Sequence, residues 1–486
     1  MHTTASTTTV AAERTVELAP DEAFALFGTP RAGSWLFGAR CDGVCPGATV
    51  SLRLPLDPDG TGPGVDVLGR LARVVPGALL EVEHTQPWRG RLAVRFVPAG
   101  RRRTRVRVRA DVPREGVDWL LHRRGLPLPE PPDDGALRLG AITTASGTGA
   151  VYSVSAELMA ELAVDEVNAA GGVAGRRVRL LTADDATDAE QAAHEAARMA
   201  RLGCRAVFVN STSASFDAVR RRLEHTGVLV VHTVINEGGR SSPTAVRFGE
   251  RPHAQLDALI GPEPPARWFL VGQAYVWSFG AHAAARRAVE RAGGHVAGEA
   301  LVPLGTTDFD ATVERVLASG ADRILSTLVG ADEVAFERRC ATAGVRERAR
   351  TISLVLDEST LAHIGPDAAT GLRTALGYFQ DTALPGNAAL LARYRDAFGP
   401  WAPPVTALSE GMYEAIHQYA RVLHADPDAD AAAHGRALVQ GRSGTAVGAR
   451  DLLRPALYVA EAGRDGLEIV QQVTARSQDR NTWMRQ

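Results

Sequence analysis

Polar and aromatic side chains recur directly after runs that read as β-strands. Asn210-Ser211-Thr212-Ser213-Ala214-Ser215 follows an apolar run ending at Val209. Its hydroxyls, with the free N–H groups of a helix opening there, suit a carbonyl or carboxylate oxygen. The plain alternative is an ordinary serine helix cap. His232 follows VLVV, Tyr275 and Trp277 follow RWFLVG, Val329 ends ILSTLVG, and Asp357 follows TISLVL. A carboxylate at Asp357, or at Glu358 one position on, would receive an ammonium or amide N–H. No motif orders these groups for catalysis. The thirteen histidines lack metalloprotease spacing, no nucleophile elbow of the form G-x-S-x-G occurs, and no G-x-G-x-x-G follows a strand. All 54 basic residues are arginine, which excludes a Schiff-base lysine and a phosphate-loop lysine.

The chain has 486 residues, enough for two or three domains. Hydrophobic content of 45% and charge of 23% are those of a soluble globular protein. A net charge of −2 gives no general attraction to nucleic acid or anionic membrane. The first residues lack a basic region followed by an apolar run, and no stretch is apolar enough to span a membrane. The expectation is a cytoplasmic protein without membrane insertion. Cys41, Cys45, Cys204 and Cys340 are then reduced. Cys41 and Cys45 have metal-like spacing but no matching His/Cys pair nearby, and neither a metal nor a cofactor is expected.

Three segments position these residues. Residues 10–125 combine a strand, a helix with proline in its first turn, a run of alternating strands and a closing helix. That pattern predicts a small α+β helix-grip domain. Its Arg101, Arg102, Arg103, Arg105, Arg107 and Arg109 read as one solvated strand face, since aromatic interleaving for nucleic acid is missing. Residues 126–136 hold four prolines, a stiff linker. Residues 137–475 repeat strand and helix in two similar halves, which predicts two lobes of doubly wound parallel sheet. Lobe one is expected at about 137–250 plus 380–450, and lobe two at about 251–379.

The run RLGAITTASG followed by DEVNAAGGVAGRRVRL resembles the opening of type I periplasmic-binding-protein folds. Within them it is most similar to receptors for branched-chain amino acids, urea and amides. VINEGGRSSPTAVRFG, FLVGQAYVWSF and GYFQDTALPGNAALLARYRDAFG continue that pattern in order. The resemblance covers about Leu137 to Tyr419 and fades beyond Gly441, where only traces of a family hairpin remain. The N-terminal segment resembles the START-like, polyketide-cyclase-like superfamily through element order.

The resemblance implies a ligand between two lobes. It would place Ser211, Thr212 and Ser213 on the lobe-one wall, with serine at 211 where related receptors often have an aromatic. His232, in a stretch His232-Thr233-Val234-Ile235-Asn236-Glu237-Gly238 that departs from the family's aromatic motif, is either a ligand wall or a buried structural histidine. Val234 lies in the same stretch. Tyr275 and Trp277 correspond to two aromatics on the lobe-two wall, Val329 to an apolar contact, Asp357 to a carboxylate of amino-acid receptors, and Tyr378 to an inter-lobe crossing. The expected function is non-catalytic binding of an amide, urea-like compound or amino acid. A regulatory or transporter protein is the partner the family implies, and nucleic acid is not one. The alternatives are cyclase-like or hydrolytic chemistry in the N-terminal domain, where Asp42 and His84 are the suggestive pair, and an ABC-transporter substrate-binding component.

Overall fold

The computed structural model describes residues 7–28, 38–41, 43–55, 64–238, 242–260, 264–441 and 456–474. The chain divides into two compact units, Met1–Pro132 with Gly399–Pro403 and Asp133–Phe398 with Pro404–Gln486.

The first unit contains β1 (Thr8–Val16), α1 (Pro20–Ala25), β2 (Arg40–Cys41), β3 (Thr49–Pro55), β4 (Gly64–Val75), β5 (Leu79–Gln86), β6 (Gly90–Gly100), β7 (Arg103–Val112) and α2 (Arg114–Arg123). The strands form one antiparallel sheet in the order β1-β7-β6-β5-β4-β3-β2. Alternation along β6 turns Leu92, Val94 and Phe96 inward. They join Val50, Leu52, Val67, Leu80 and Val82 in one core, against which Val117, Trp119 and Leu120 of α2 pack. The arginines of β7 meet carboxylates: Arg105 and Arg107 pair with Glu13 at 2.9 and 2.6 Å, and Arg103 with Glu17 at 2.8 Å. Asp42 lies outside the described residues. His84 is buried, and burial pulls its imidazole down to about 4, so it is neutral at physiological pH.

The second unit opens with β8 (Leu137–Thr143), α3 (Ala156–Ala169), β9 (Val178–Asp184), α4 (Ala189–Arg201), β10 (Cys204–Asn210), α5 (Ser213–Leu223), β11 (Leu229–His232) and β12 (Ala245–Arg247). Its sheet runs β12-β11-β10-β8-β9, every pair parallel. β10 is apolar almost throughout because helices cover both faces of a parallel sheet. α3 stops where Gly171 and Gly172 take φ of +100° and +73°, a backbone that side chains with a Cβ resist.

The chain then builds a second sheet from α6 (Pro252–Ile260), β13 (Arg267–Gln273), α7 (Val276–Arg291), β14 (His295–Val302), α8 (Asp310–Ser319), β15 (Arg323–Ser326), α9 (Ala331–Thr342), β16 (Arg350–Ser353), α10 (Glu358–Ile364), α11 (Pro366–Ala369) and β17 (Arg373–Leu376). It returns to lobe one for α12 (Asn387–Phe398), α13 (Ala407–Ala425) and α14 (Ala431–Gly441), with α13 lying along α3. β18 (Ala456–Ala462) and β19 (Leu467–Thr474) then go back to lobe two. The second sheet runs β14-β13-β15-β16-β17-β18-β19.

Two expectations change here. Lobe two is not wholly parallel, because β18 pairs antiparallel with β17 and β19 antiparallel with β18. The chain beyond Gly441 also keeps more than traces of structure. The hairpin reverses at Gly463–Gly466, where the Gly463 N–H donates to the Gly466 carbonyl at 2.8 Å, and it completes an edge that β17 would otherwise leave open.

Candidate functional site

The polar loops gather at the carboxyl ends of parallel strands, where helix N-termini and strand ends leave a crevice between lobes. In lobe one the centre is Asp185, one residue beyond β9 and fully buried. Thr144 Oγ1 donates to its Oδ1 at 2.9 Å, the Thr187 N–H donates to the same oxygen at 2.9 Å, and the Ser211 hydroxyl donates to Oδ2. The Tyr152 hydroxyl lies beside Thr144 and Ser211. Burial pushes the Asp185 carboxyl up to about 6, against the opposing bonds from Ser211 and Ser215. Burial, with Asp185 nearby, also raises the Tyr152 phenol, so Tyr152 stays protonated.

α5 opens at the next strand end. Thr212 caps it by accepting from the Ser215 N–H at 3.1 Å, and Ser213 donates through Oγ to Glu237 at 2.6 Å. Glu237 follows β11 and is half-buried.

In lobe two, Tyr275 is the N-cap residue of α7 and is partly exposed. Burial raises its phenol, and the carboxylates of Glu237 and Asp332 and the Tyr152 hydroxyl add to the shift. Groups of both lobes therefore lie near enough to Tyr275 to act on its charge. Asp332, in the first turn of α9, is buried. It accepts from Gln273 Nε2 at 3.1 Å and from the Gly305 N–H at 2.8 Å. Burial raises its carboxyl despite these bonds.

The lobes touch across the crevice. Thr148 Oγ1 of lobe one donates to Asp332 Oδ1 at 2.5 Å, and Ser359 Oγ of α10 donates to the Val151 carbonyl at 2.6 Å. A Cβ on Gly280 of α7 would lie 2.6 Å from the Glu237 Cβ, so only glycine admits this approach. The arrangement is closed.

Among the residues expected at the site, Ser211, Ser213 and Tyr275 come together here, with Thr212 beside them as a helix cap. Val234 and Val329 are buried close to the strand ends. The others turn inward. His232 is fully buried, its ring stacked 4.4 Å from that of Phe216, with Nε2 3.1 Å from the Ser211 carbonyl. Burial pulls its imidazole down to about 3, so it supports the Ser211 backbone as a neutral donor. Trp277 is buried and its indole N–H donates to the Thr327 carbonyl at 3.0 Å. Asp357 caps α10, accepting from the Thr360 N–H at 2.8 Å. Tyr378 is fully buried and donates to Asn387 at 2.8 Å.

Thr144, Tyr152, Asp185, Glu237 and Asp332 were not singled out from the sequence. Two of them follow strands β8 and β9, so the strand-end rule that found Ser213 reaches them too. TTASGTG and TADDATDAE carry that signal.

The profile of the periplasmic binding protein family matches residues 136–453. The chain belongs to this family. Among curated relatives of this periplasmic binding protein is Leu/Ile/Val-binding protein homolog 8 of Brucella abortus, 30% identical over 231 residues. That match covers 43% of this chain, and the chain spans only 56% of the relative's length. Similar solved structures include the branched-chain amino acid transporter substrate-binding protein of Streptococcus pneumoniae in complex with isoleucine, at 17% identity and a TM-score of 0.60. It covers 70% of this chain and 100% of that one. Another is a solute-binding protein of an ABC transporter from R. palustris in complex with benzoate, at 16% identity and a TM-score of 0.61 over 70% and 98% of the two chains. At such identities these structures share the fold alone. The curated relative is named as a binding protein, and residues 136–453 of this chain have the two-lobed fold of the family.

Proposed function

We propose that the chain closes its two lobes on a small solute that presents N–H donors: an amino acid, an amide or a urea-like compound. The observation that carries this reading is the acidic, hydroxyl-rich crevice, where Ser211 and Thr144 bond Asp185, Ser213 bonds Glu237, and Thr148 bonds Asp332 across the lobes. Carboxylates accept and do not donate, so their natural complement is an ammonium or amide N–H. The Tyr275 hydroxyl supplies a donor for a carbonyl or carboxylate on the same solute, while the Ser213 hydroxyl, whose proton goes to Glu237, is left to accept. The lobe-bridging bond from Thr148 to Asp332 supports closure as the bound state, provided the solute binds that state more tightly.

The names of several relatives support a transporter as the protein partner, with this chain as a substrate-binding component. A cytoplasmic location is the competing reading, which the buried thiols of Cys204 and Cys340 suit, and cell fractionation decides between the two. For the first unit, a START-like relationship rests on its element order. The functional reading is tested by calorimetric titration of the full chain with amino acids, amides and ureas. Saturable binding that is lost in Glu237→Gln is expected for an ammonium-bearing solute. Binding of acidic or purely apolar solutes in preference to these would overturn it.

A further inference from the structure

At the opposite end of lobe two from the crevice, β16 and β17 begin with Arg350 and Arg373. Between their starting ends lies a pocket of about 250 Å³. Its walls include Arg346, Arg350, Arg373, Thr351 and Thr370, with Glu461 of β18 as the single carboxylate. Glu337 pairs with Arg346 and Glu461 lies near Arg373, so the pocket keeps a net positive charge from Arg350.

Arg346 is held rigidly. Its Nε donates to the Ala368 carbonyl at 2.9 Å, and its Nη2 donates to Glu337 Oε2 at 2.9 Å. Its Nη1 is buried and has no partner among the described residues. The same holds for Thr351 Oγ1, on a residue only 2% exposed. Buried donors without partners are rare in folded proteins and call for an explanation. Arg350 reaches solvent at the mouth, and Arg373 lies 3.8 Å from Glu461. A guanidinium fork matches the oxygens of a phosphate, and a hydroxyl adds a further donor. A phosphate would satisfy Thr351 Oγ1 and Arg346 Nη1 together and pair with the Arg350 charge at the mouth.

We propose that this pocket binds a phosphate group, through Arg346 Nη1, the Arg350 and Arg373 guanidiniums and the Thr351 hydroxyl. The site is separate from the crevice. Its occupant would tie the starts of β16 and β17 to the hairpin strand β18.

The test is calorimetric titration of the full chain with inorganic phosphate and, in a second arm, glycerol 3-phosphate, at constant ionic strength. Saturable binding is expected in at least one arm, and the tighter arm identifies free ion or ester as the source. Arg350→Glu, a change at an exposed side chain, should weaken binding by about tenfold or more. Thr351→Val should weaken it several-fold without lowering the melting temperature, since that hydroxyl has no protein partner to lose. Ser213→Ala in the crevice should leave phosphate affinity unchanged. Absence of saturation, equal response to chloride, full affinity in Arg350→Glu, or loss of phosphate binding in Ser213→Ala would each overturn the proposal.

Discussion

Trp277 and Tyr275 sit two residues apart, yet the structure gives them different work. Trp277 is inside lobe two with its N–H already bonded, whereas Tyr275 borders both lobes. Trp277→Ala should therefore cost folding stability, about 3–5 kcal/mol, by leaving a cavity. Tyr275→Ala should leave melting nearly intact and cost about 2 kcal/mol or more of ligand binding, a roughly thirty-fold loss. Denaturant unfolding and calorimetry on both variants separate these outcomes. A second residue-scale prediction concerns pH. His232 keeps a neutral ring at working pH because burial holds it near 3. Asp185 instead titrates near 6. Below that pH it loses its charge and the bonds from Thr144, Thr187 and Ser211 that order this wall weaken, so affinity for the solute should fall as pH drops below about 6. Asp185→Asn should flatten that profile and His232→Gln should not, measured as dissociation constants at about pH 5.5, 6.5 and 7.5. The exposed-or-buried choice for His232 was open from sequence because a strand end points equally to crevice and core. Phe216, distant in sequence, decides it.

Helices of lobe one are clamped by a polar cluster on α3. Glu166 accepts from Tyr413 at 2.6 Å and Arg393 at 2.6 Å, with His417 3.2 Å away. Burial alone would raise this carboxyl, but the bonds from His417, Tyr413 and Arg393 bring it from 4.5 down to about 2. The folded value lies below the unfolded one. Its stabilisation is therefore complete above about pH 4.5 and is lost as pH falls towards 2. Glu166→Gln should melt below wild type at neutral pH, and the gap should narrow steadily below about pH 4.5 in thermal scans. On α7, Gly280 admits Glu237 from the other lobe. Gly280→Leu should leave each lobe folded, since leucine suits a helix better than glycine, but wedge the crevice open. Small-angle scattering in the presence of ligand should then report a larger radius of gyration than wild type. The helices and parallel strands were readable beforehand because apolar periodicity marks them. The roles of Asp185 and Asp332 were not, since whether a carboxylate is buried depends on loops brought together from separate strands. The hairpin of β18 and β19 escaped for a related reason: its pairing partner, β17, lies some eighty residues earlier in the chain.

On the scale of the whole chain, residues Leu126–Pro132 carry no regular structure and precede the second unit. Limited proteolysis should cut near Leu126–Gly135 and leave two soluble fragments, each melting cooperatively. Unfolding of both fragments on separation would refute independent units. Within the second unit the chain visits lobe one, then lobe two, then lobe one again through α12 to α14, and finally lobe two through the hairpin. That itinerary bears on how the protein is made. While a ribosome is still producing the chain, lobe one lacks α13, the helix that lies along α3, and lobe two lacks the strands that cover β17. Neither lobe can reach its finished packing until the other has been almost entirely synthesised. The β17 edge then stays available for wrong pairing through much of translation. A nascent chain stalled after Gly441 should therefore resist protease in lobe one before it does in lobe two.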